Sequence, residues 1–191
     1  MRKKLFRFRS YTPIPFIIVM LVFARPSTRS VVTGMTMAVT GEAIRFWGVA
    51  YAGSLTRVTG GVGAPEVIVA GPFSFVRNPL YVGNVLMYVG FGVASYALWP
   101  WLPALALLFF LFQYRAIVSL EEEFLEKEFG AAYLEYRKNV PRFIPRPVPY
   151  RSPAQEGQTP RWNEALRSEK RTLQAFLTVS ALLLVLWQWG R

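Results

Sequence analysis

The chain has 191 residues, a net charge of +11, and no Cys, His or Asp; 53% of its residues are hydrophobic and only 17% are charged. At about 100–200 residues per domain this is a single domain, residues 1–191, and its charge content falls short of the roughly one quarter usual in soluble domains. The missing residue types exclude a disulfide framework, a thiolate or imidazole metal site, a cysteine nucleophile and a histidine base, so acid–base work falls to Glu, Tyr, Lys, Arg or the backbone.

The first residues are basic: Arg2, Lys3, Lys4, Arg7 and Arg9. An apolar run from Ile14 to Ala24 follows. A signal peptide has a similar layout, but no small-x-small site precedes Arg25-Pro26 and the rest of the chain is itself apolar, so the run reads as an uncleaved first membrane helix. Pro13 and Pro15 make its entrance irregular. A second span from Val31 to Ala52 carries Glu42 and Arg45, three residues apart on one helix face. Charges at membrane depth are costly, and this pair is either a structural ion pair or part of a polar site. Residues 53–78 read as a loop, with turns at Gly60, Gly61 and Gly63 and a short extended piece at 66–70.

Between Asn78 and Tyr114 no residue is charged. That stretch is long enough for two crossings of about 20 residues each. It reads as a hairpin: a third span from Leu80 to Trp99, a turn through Trp99-Pro100-Trp101-Leu102-Pro103, and a fourth span from Ala104 to Ser119. From Glu121 to about Asn139 the chain is polar, yet Phe124, Leu125, Phe129, Tyr133 and Tyr136 recur at helical steps, which predicts an amphipathic helix. The Pro- and Arg-rich stretch 141–160 reads as loop. Leu173–Trp189 is a fifth span, with Lys170 and Arg171 at its entrance. The fold class is therefore all-α: an integral membrane bundle of about five transmembrane helices with a cytoplasmic amphipathic helix and Pro-rich loop. If the spans alternate, the N-terminus, the Arg57–Arg77 loop and the 121–171 segment share one side, and their Lys and Arg content marks it as cytoplasmic. The basic charge thus points to membrane lipid headgroups rather than nucleic acid.

Two constellations carry candidate chemistry. In Gly71-Pro72-Phe73-Ser74-Phe75-Val76-Arg77-Asn78-Pro79-Leu80-Tyr81-Val82-Gly83, Pro79 suits the first turn of the third span and Asn78 its N-cap. This is either a capped helix entrance or an anion site built from N–H groups and Arg77. The second runs from Arg115 through Glu121-Glu122-Glu123, Leu125, Phe129-Gly130, Tyr133 and Tyr136 to Val140-Pro141. Arg115 and Glu122 are seven apart, as are Tyr114 and Glu121, so each pair shares a helix face. The carboxylates are either a solvated face or a holder for a sulfonium, an amine or ribose hydroxyls. Neither constellation has metal-ligand spacing or a phosphate-binding glycine loop.

Taken together, the two motifs resemble the isoprenylcysteine carboxyl methyltransferase family and its relatives among the phospholipid N-methyltransferases. The family has Gly-Pro-aromatic, then Arg-His-Pro-x-Tyr-x-Gly at a helix entrance, and some forty residues later Glu-Glu-x-x-Leu-x-x-x-Phe-Gly-x-x-Tyr-x-x-Tyr and Val-Pro. Gly41-Glu42-Ala43-Ile44-Arg45-Phe46-Trp47 also looks like the family's second-helix segment. The resemblance covers residues 41–145; it leaves 146–172 as a cytoplasmic loop and 173–189 as an extra C-terminal membrane helix.

The resemblance implies S-adenosylmethionine as cofactor and a lipid-like or prenylated methyl acceptor, most like isoprenylcysteine carboxyl O-methylation, with phospholipid N-methylation as the alternative. It implies a cofactor pocket lined by Arg77, Asn78, Pro79, Tyr81, Glu121 and Glu122, closed over by Tyr133 and Tyr136. Arg115 and Glu122 would be catalytic, Arg115 orienting an anionic acceptor. Asn78 stands where the family has His; it can hold hydrogen bonds but cannot serve as a base at neutral pH. A non-enzymatic relative with a degenerate site is the reading of another class, against which the Glu pair and the tyrosines speak.

Overall fold

The structure is a computed structural model that describes residues 6–53 and 66–190. The glycine-rich turn expected at residues 60–63 lies outside the described residues. Six helices have both ends among the described residues: α1 Pro13–Val22, α2 Thr28–Ala52, α3 Pro79–Ser95, α4 Trp101–Phe129, α5 Ala131–Asn139 and α6 Trp162–Trp189. Short 3-10 turns sit at Gly71–Ser74 and Pro153–Gln155. No strand occurs among the described residues.

The centre of the fold is the close pairing of α2 with α3. Gly34, Gly41 and Gly48 recur every seven residues on α2, and Gly83 and Gly90 do the same on α3. A Cβ added at Gly41 would lie 2.5 Å from the Gly83 carbonyl oxygen, and one at Gly90 would lie 2.7 Å from that of Gly34. Backbone therefore meets backbone, the contact small residues permit between membrane helices. Ser27 and Ser30 cap α2 reciprocally, and the Ser30 hydroxyl also donates to the Ala94 carbonyl at 3.2 Å. One N-cap of this kind contributes about 1 kcal/mol.

Around this pair, α4 packs on α3, and α6 packs on α2. Among the described residues, the two outer helices, α4 and α6, are the ones long and apolar enough to cross a membrane. Their outward faces expose Leu105, Leu108 and Phe112 on α4, and Leu177, Leu182 and Val185 on α6. A run of exposed large apolar side chains on both helices is what lipid, not water, covers.

Of the five expected spans, these two meet that measure among the described residues. With 10 residues, α1 is about 15 Å long, half the hydrocarbon thickness of about 30 Å. The fourth span is longer than expected: α4 runs through the acidic cluster to Phe129 as a single helix. The amphipathic helix expected over 121–139 is instead divided at Gly130, whose φ of 50° is left-handed and suits glycine. The last helix starts at Trp162, eleven residues before the apolar run, because its first turns pack Ala165 and Glu169 inward.

Candidate active site

Pro79 is buried at the first position of α3 and presents no face to the cavity described below. Asn78 occupies the N-cap position, but its side chain makes no capping bond. Its Nδ2 donates to the Arg142 carbonyl at 3.1 Å, which ties the start of α3 to the chain after α5. The Gly71–Ser74 turn is clamped from the same side: Tyr136 Oη donates to the Phe73 carbonyl at 2.7 Å, Tyr150 N to Ser74 O and Arg146 N to Phe75 O.

Arg77 is the centre of this clamp. Its Nε donates to Glu122 Oε1 at 3.0 Å, and its Nη2 lies 2.9 Å from the same oxygen. Its Nη1 donates to the carbonyls of Arg137 at 2.8 Å and Val140 at 2.6 Å. Arg142 donates to the other oxygen of Glu122. Most of its donors are thus engaged within the protein, and through them it positions Glu122. Glu122, with both oxygens engaged, is likewise a tie between α4 and the segment after α5.

Glu121 differs. Its Oε1 accepts from Tyr81 Oη at 2.7 Å. Its Oε2 takes no hydrogen bond among the described residues, and the side chain lines the cavity. Tyr81 stacks on Tyr114 with ring centroids 4.6 Å apart, so the hydroxyl that orients Glu121 is itself held.

A cavity of about 860 Å³ runs inward from this rim. Arg77, Asn78, Tyr81, Glu121, Glu122, Tyr133 and Tyr136 all line it, so it unites residues from both sequence motifs. Burial raises the Tyr133 and Tyr136 hydroxyl pKa values well above the ordinary tyrosine value, and the nearby Glu122 carboxylate adds to the effect at both. They stay neutral and close the rim as aromatic walls, Tyr136 held by its bond to Phe73. Farther in, Met87, Phe91, Phe176 and Val179 make the lining apolar.

Between rim and apolar end lies a second ionic cluster. Arg45 Nη2 pairs with Glu169 at 2.7 Å, and its Nε is 3.4 Å from Glu42. Its Nη1 donates to Asn84 Oδ1 at 2.5 Å. The Glu42 and Arg45 pair read from sequence is thus extended by Glu169 from α6 and Asn84 from α3. Arg45, Asn84 and Glu169 line the cavity.

Arg115 is not brought to the cavity. It is exposed on α4, while Tyr114 is 2% exposed. Seven-residue spacing leaves a drift of about 20° per repeat. In addition, the helix changes neighbours: its first half packs on α3, whereas Glu122 is covered by Arg77 and Arg142. Arg115 and Glu122 are therefore on one side of the helix by spacing but have different surroundings.

Sequence reasoning missed Arg142, Asn84 and Glu169. Glu169 carried a signal: an acidic residue just before an apolar run, with Ala165 one turn earlier. Among the described residues no group of three or more His, Cys, Asp or Glu side chains is arranged to hold a metal ion.

The family model described as phospholipid methyltransferase matches residues 29–132, from the start of α2 to the start of α5. A nickel-cobalt-cadmium resistance protein, NccN, of Alcaligenes xylosoxydans xylosoxydans is 32% identical over 119 residues, 62% of this chain and 50% of that protein. A cobalt-zinc-cadmium resistance protein, CzcN, of Cupriavidus metallidurans is 35% identical over 85 residues, 44% of this chain and 38% of that protein. The chain spans half or less of the length of these curated relatives. No solved structure matches. Both motifs that line the cavity fall inside or beside the matched residues, which cover more than half of the chain: it belongs to the phospholipid methyltransferase family.

Proposed function

We propose that this chain transfers a methyl group from S-adenosylmethionine to a lipid-like acceptor that enters from the bilayer. One observation carries the reading: Tyr81 and Glu121, from motifs forty residues apart, are hydrogen-bonded at a polar rim that opens onto an apolar interior. A polar reagent and an apolar acceptor can meet only where such surfaces adjoin.

The residues fit the cofactor. Glu121 offers a carboxylate oxygen that accepts no hydrogen bond among the described residues, suited to a cation or to hydroxyl donors. When bound, S-adenosylmethionine supplies a methyl group made electrophilic by its sulfonium. Tyr81 fixes Glu121; Arg77 and Arg142 fix Glu122 and thereby the end of α4. Tyr133, Tyr136 and the 66–68 segment cover the rim against water. Holding the reacting groups in line is the main contribution asked of the protein, worth several kcal/mol.

Alongside α4 and α6 we read α1, α2 and α3 as embedded in the same membrane, with the N-terminus and the rim on the cytoplasmic side, supported by Arg137, Lys138, Arg142 and Arg146 around the rim. Two acceptors have support. Asn78 supplies no base, which suits an isoprenylcysteine carboxylate, already deprotonated. The exposed position of Arg115 leaves that carboxylate without its expected arginine and favours a phospholipid amine. The relatives' names speak of metal resistance, and nothing in the cavity builds on that.

The test has two steps. Titration calorimetry should show S-adenosylhomocysteine binding to the purified protein and its loss in Glu121→Ala. Labelled methyl transfer to an isoprenylated cysteine and to phosphatidylethanolamine then assigns the acceptor. A folded wild-type protein that binds no S-adenosylhomocysteine sinks the reading.

A further inference from the structure

Helix α6 begins thirty residues beyond the part of the chain that the family model matches. Yet it reaches into the cavity with one carboxylate, Glu169, which is 2% exposed. We propose that Glu169 is the residue that sets which acceptor charge the inner cavity admits, by occupying the guanidinium of Arg45; the proposal rests on the methyltransferase reading above.

The geometry carries the argument in three steps. First, Arg45 lines the cavity, and its Nη2 is taken by Glu169 at 2.7 Å. An anionic acceptor head would have to displace Glu169 to reach it. Second, Arg45 cannot withdraw. Its stem packs on α3 so closely that a Cβ added at Gly83 would lie 2.6 Å from Arg45 Cγ. Its Nη1 is held by Asn84 at 2.5 Å, and its Nε lies beside Glu42. Neutralising Glu169 would therefore leave a fixed cationic donor facing the cavity rather than a side chain free to leave. Third, the lining just beyond is apolar, through Met87, Phe91, Phe176 and Val179. A charge pair at such a boundary is weakly screened, so one carboxylate more or less decides the sign of ligand that is tolerated. Arg9 and Arg171 also line the cavity, but they are the same in every variant and cancel in a comparison between them.

The test needs two probes that differ by one charge: palmitic acid at neutral pH and its methyl ester, titrated into the purified full chain in detergent. Wild type should bind the ester better than the acid. In Glu169→Gln the acid-to-ester affinity ratio should rise by about tenfold or more, with S-adenosylhomocysteine affinity unchanged within about twofold. Glu169→Asp, which keeps the charge, should stay near wild type. The double variant Arg45→Gln with Glu169→Gln should return the ratio toward wild type, because the donor is gone. A merely structural role for Glu169 predicts instead that cofactor and probe binding weaken together. Where Glu169→Gln does not fold, Glu169→Leu carries the same comparison. An unchanged ratio, including no binding of either probe in both proteins, overturns the inference, as does an equal shift in the double variant. Loss of the methyltransferase reading would show separately, as wild type that takes the probes but not S-adenosylhomocysteine.

Discussion

The cavity has an ionic cluster at each of two depths, and the two are built in opposite senses. At the rim one carboxylate, Glu122, sits between two guanidinium groups, Arg77 and Arg142. Deeper in, one guanidinium, Arg45, sits between two carboxylates, Glu42 and Glu169. The rim cluster ties loops to a helix end and leaves Arg142 a third exposed. The inner cluster joins three helices, and none of its charged side chains is more than 10% exposed. Arg142 can therefore be rehydrated when its partner is lost; the buried charges of the inner cluster cannot. The same residue types therefore act as a latch at one depth and as a fixed polar boundary at the other.

Breaking the inner cluster should have the largest effect. Arg45→Ala strands Glu42 and Glu169 in a buried setting, and removing one partner from a buried ion pair costs about 3–5 kcal/mol. Denaturant titration in detergent should show that loss, or no folded protein at all. A cost below about 1 kcal/mol would mean the inner cluster is hydrated and the contrast with the rim is wrong.

At the rim, Glu122→Ala releases two arginines. Arg77 keeps the carbonyls of Arg137 and Val140, and Arg142 turns to water. The stability cost should be smaller, about 2–3 kcal/mol. S-adenosylhomocysteine binding should nevertheless weaken by more than tenfold, because the end of α4 that carries Glu121 loses its anchor. Unchanged binding would show that Glu121 needs no support from the latch.

The tyrosines that close the rim give a pH test. Their folded-state pKa values are raised, by burial first. An unfolded chain releases these protons near pH 10 while the folded one retains them, so stability is fully present below pH 10 and declines as pH rises past it. The slope is about 1.4 kcal/mol per group per pH unit. Tyr133→Phe should reduce that slope, as read from unfolding curves between pH 9 and 11. A slope that the substitution leaves unchanged would place the titration elsewhere.

Tyr81→Phe is milder. It deletes one hydrogen bond to the Glu121 carboxylate but keeps the ring stacked on Tyr114. A bond to a charged group is worth about 1.5 kcal/mol, or roughly tenfold in S-adenosylhomocysteine affinity.

Much of this was legible in the sequence, and what was not has identifiable causes. The apolar runs gave the helices because hydrophobic periodicity is local. The rim residues were legible because two motifs named them. The division at Gly130 was harder to see, since Ala131 and Ala132 continue a helical composition beyond it. The glycines of α2 and α3 carried a readable signal in their seven-residue spacing, and they explain how Arg45 comes within reach of Asn84. The pairings of Arg142 and Glu169 were not legible, because their partners lie 20 and 124 residues away. Such pairings depend on how the elements pack, which no local pattern records.

Arg115 sharpens the comparison at its smallest scale. It lies one heptad before Glu122 on a continuous helix, so spacing alone equates the two. Their surroundings separate them: Glu122 is covered by two arginines, and Arg115 faces outward. Arg115→Ala should leave unfolding unchanged within about 0.5 kcal/mol, as surface substitutions do. It should leave S-adenosylhomocysteine affinity unchanged within about twofold, in the same titration in which Glu122→Ala weakens it strongly. Any effect of Arg115 on turnover would then have to arise at the outer face of α4, where lipid or an approaching acceptor meets the helix. A large drop in cofactor affinity would instead mean that α4 turns its Arg115 face inward when the cavity is filled.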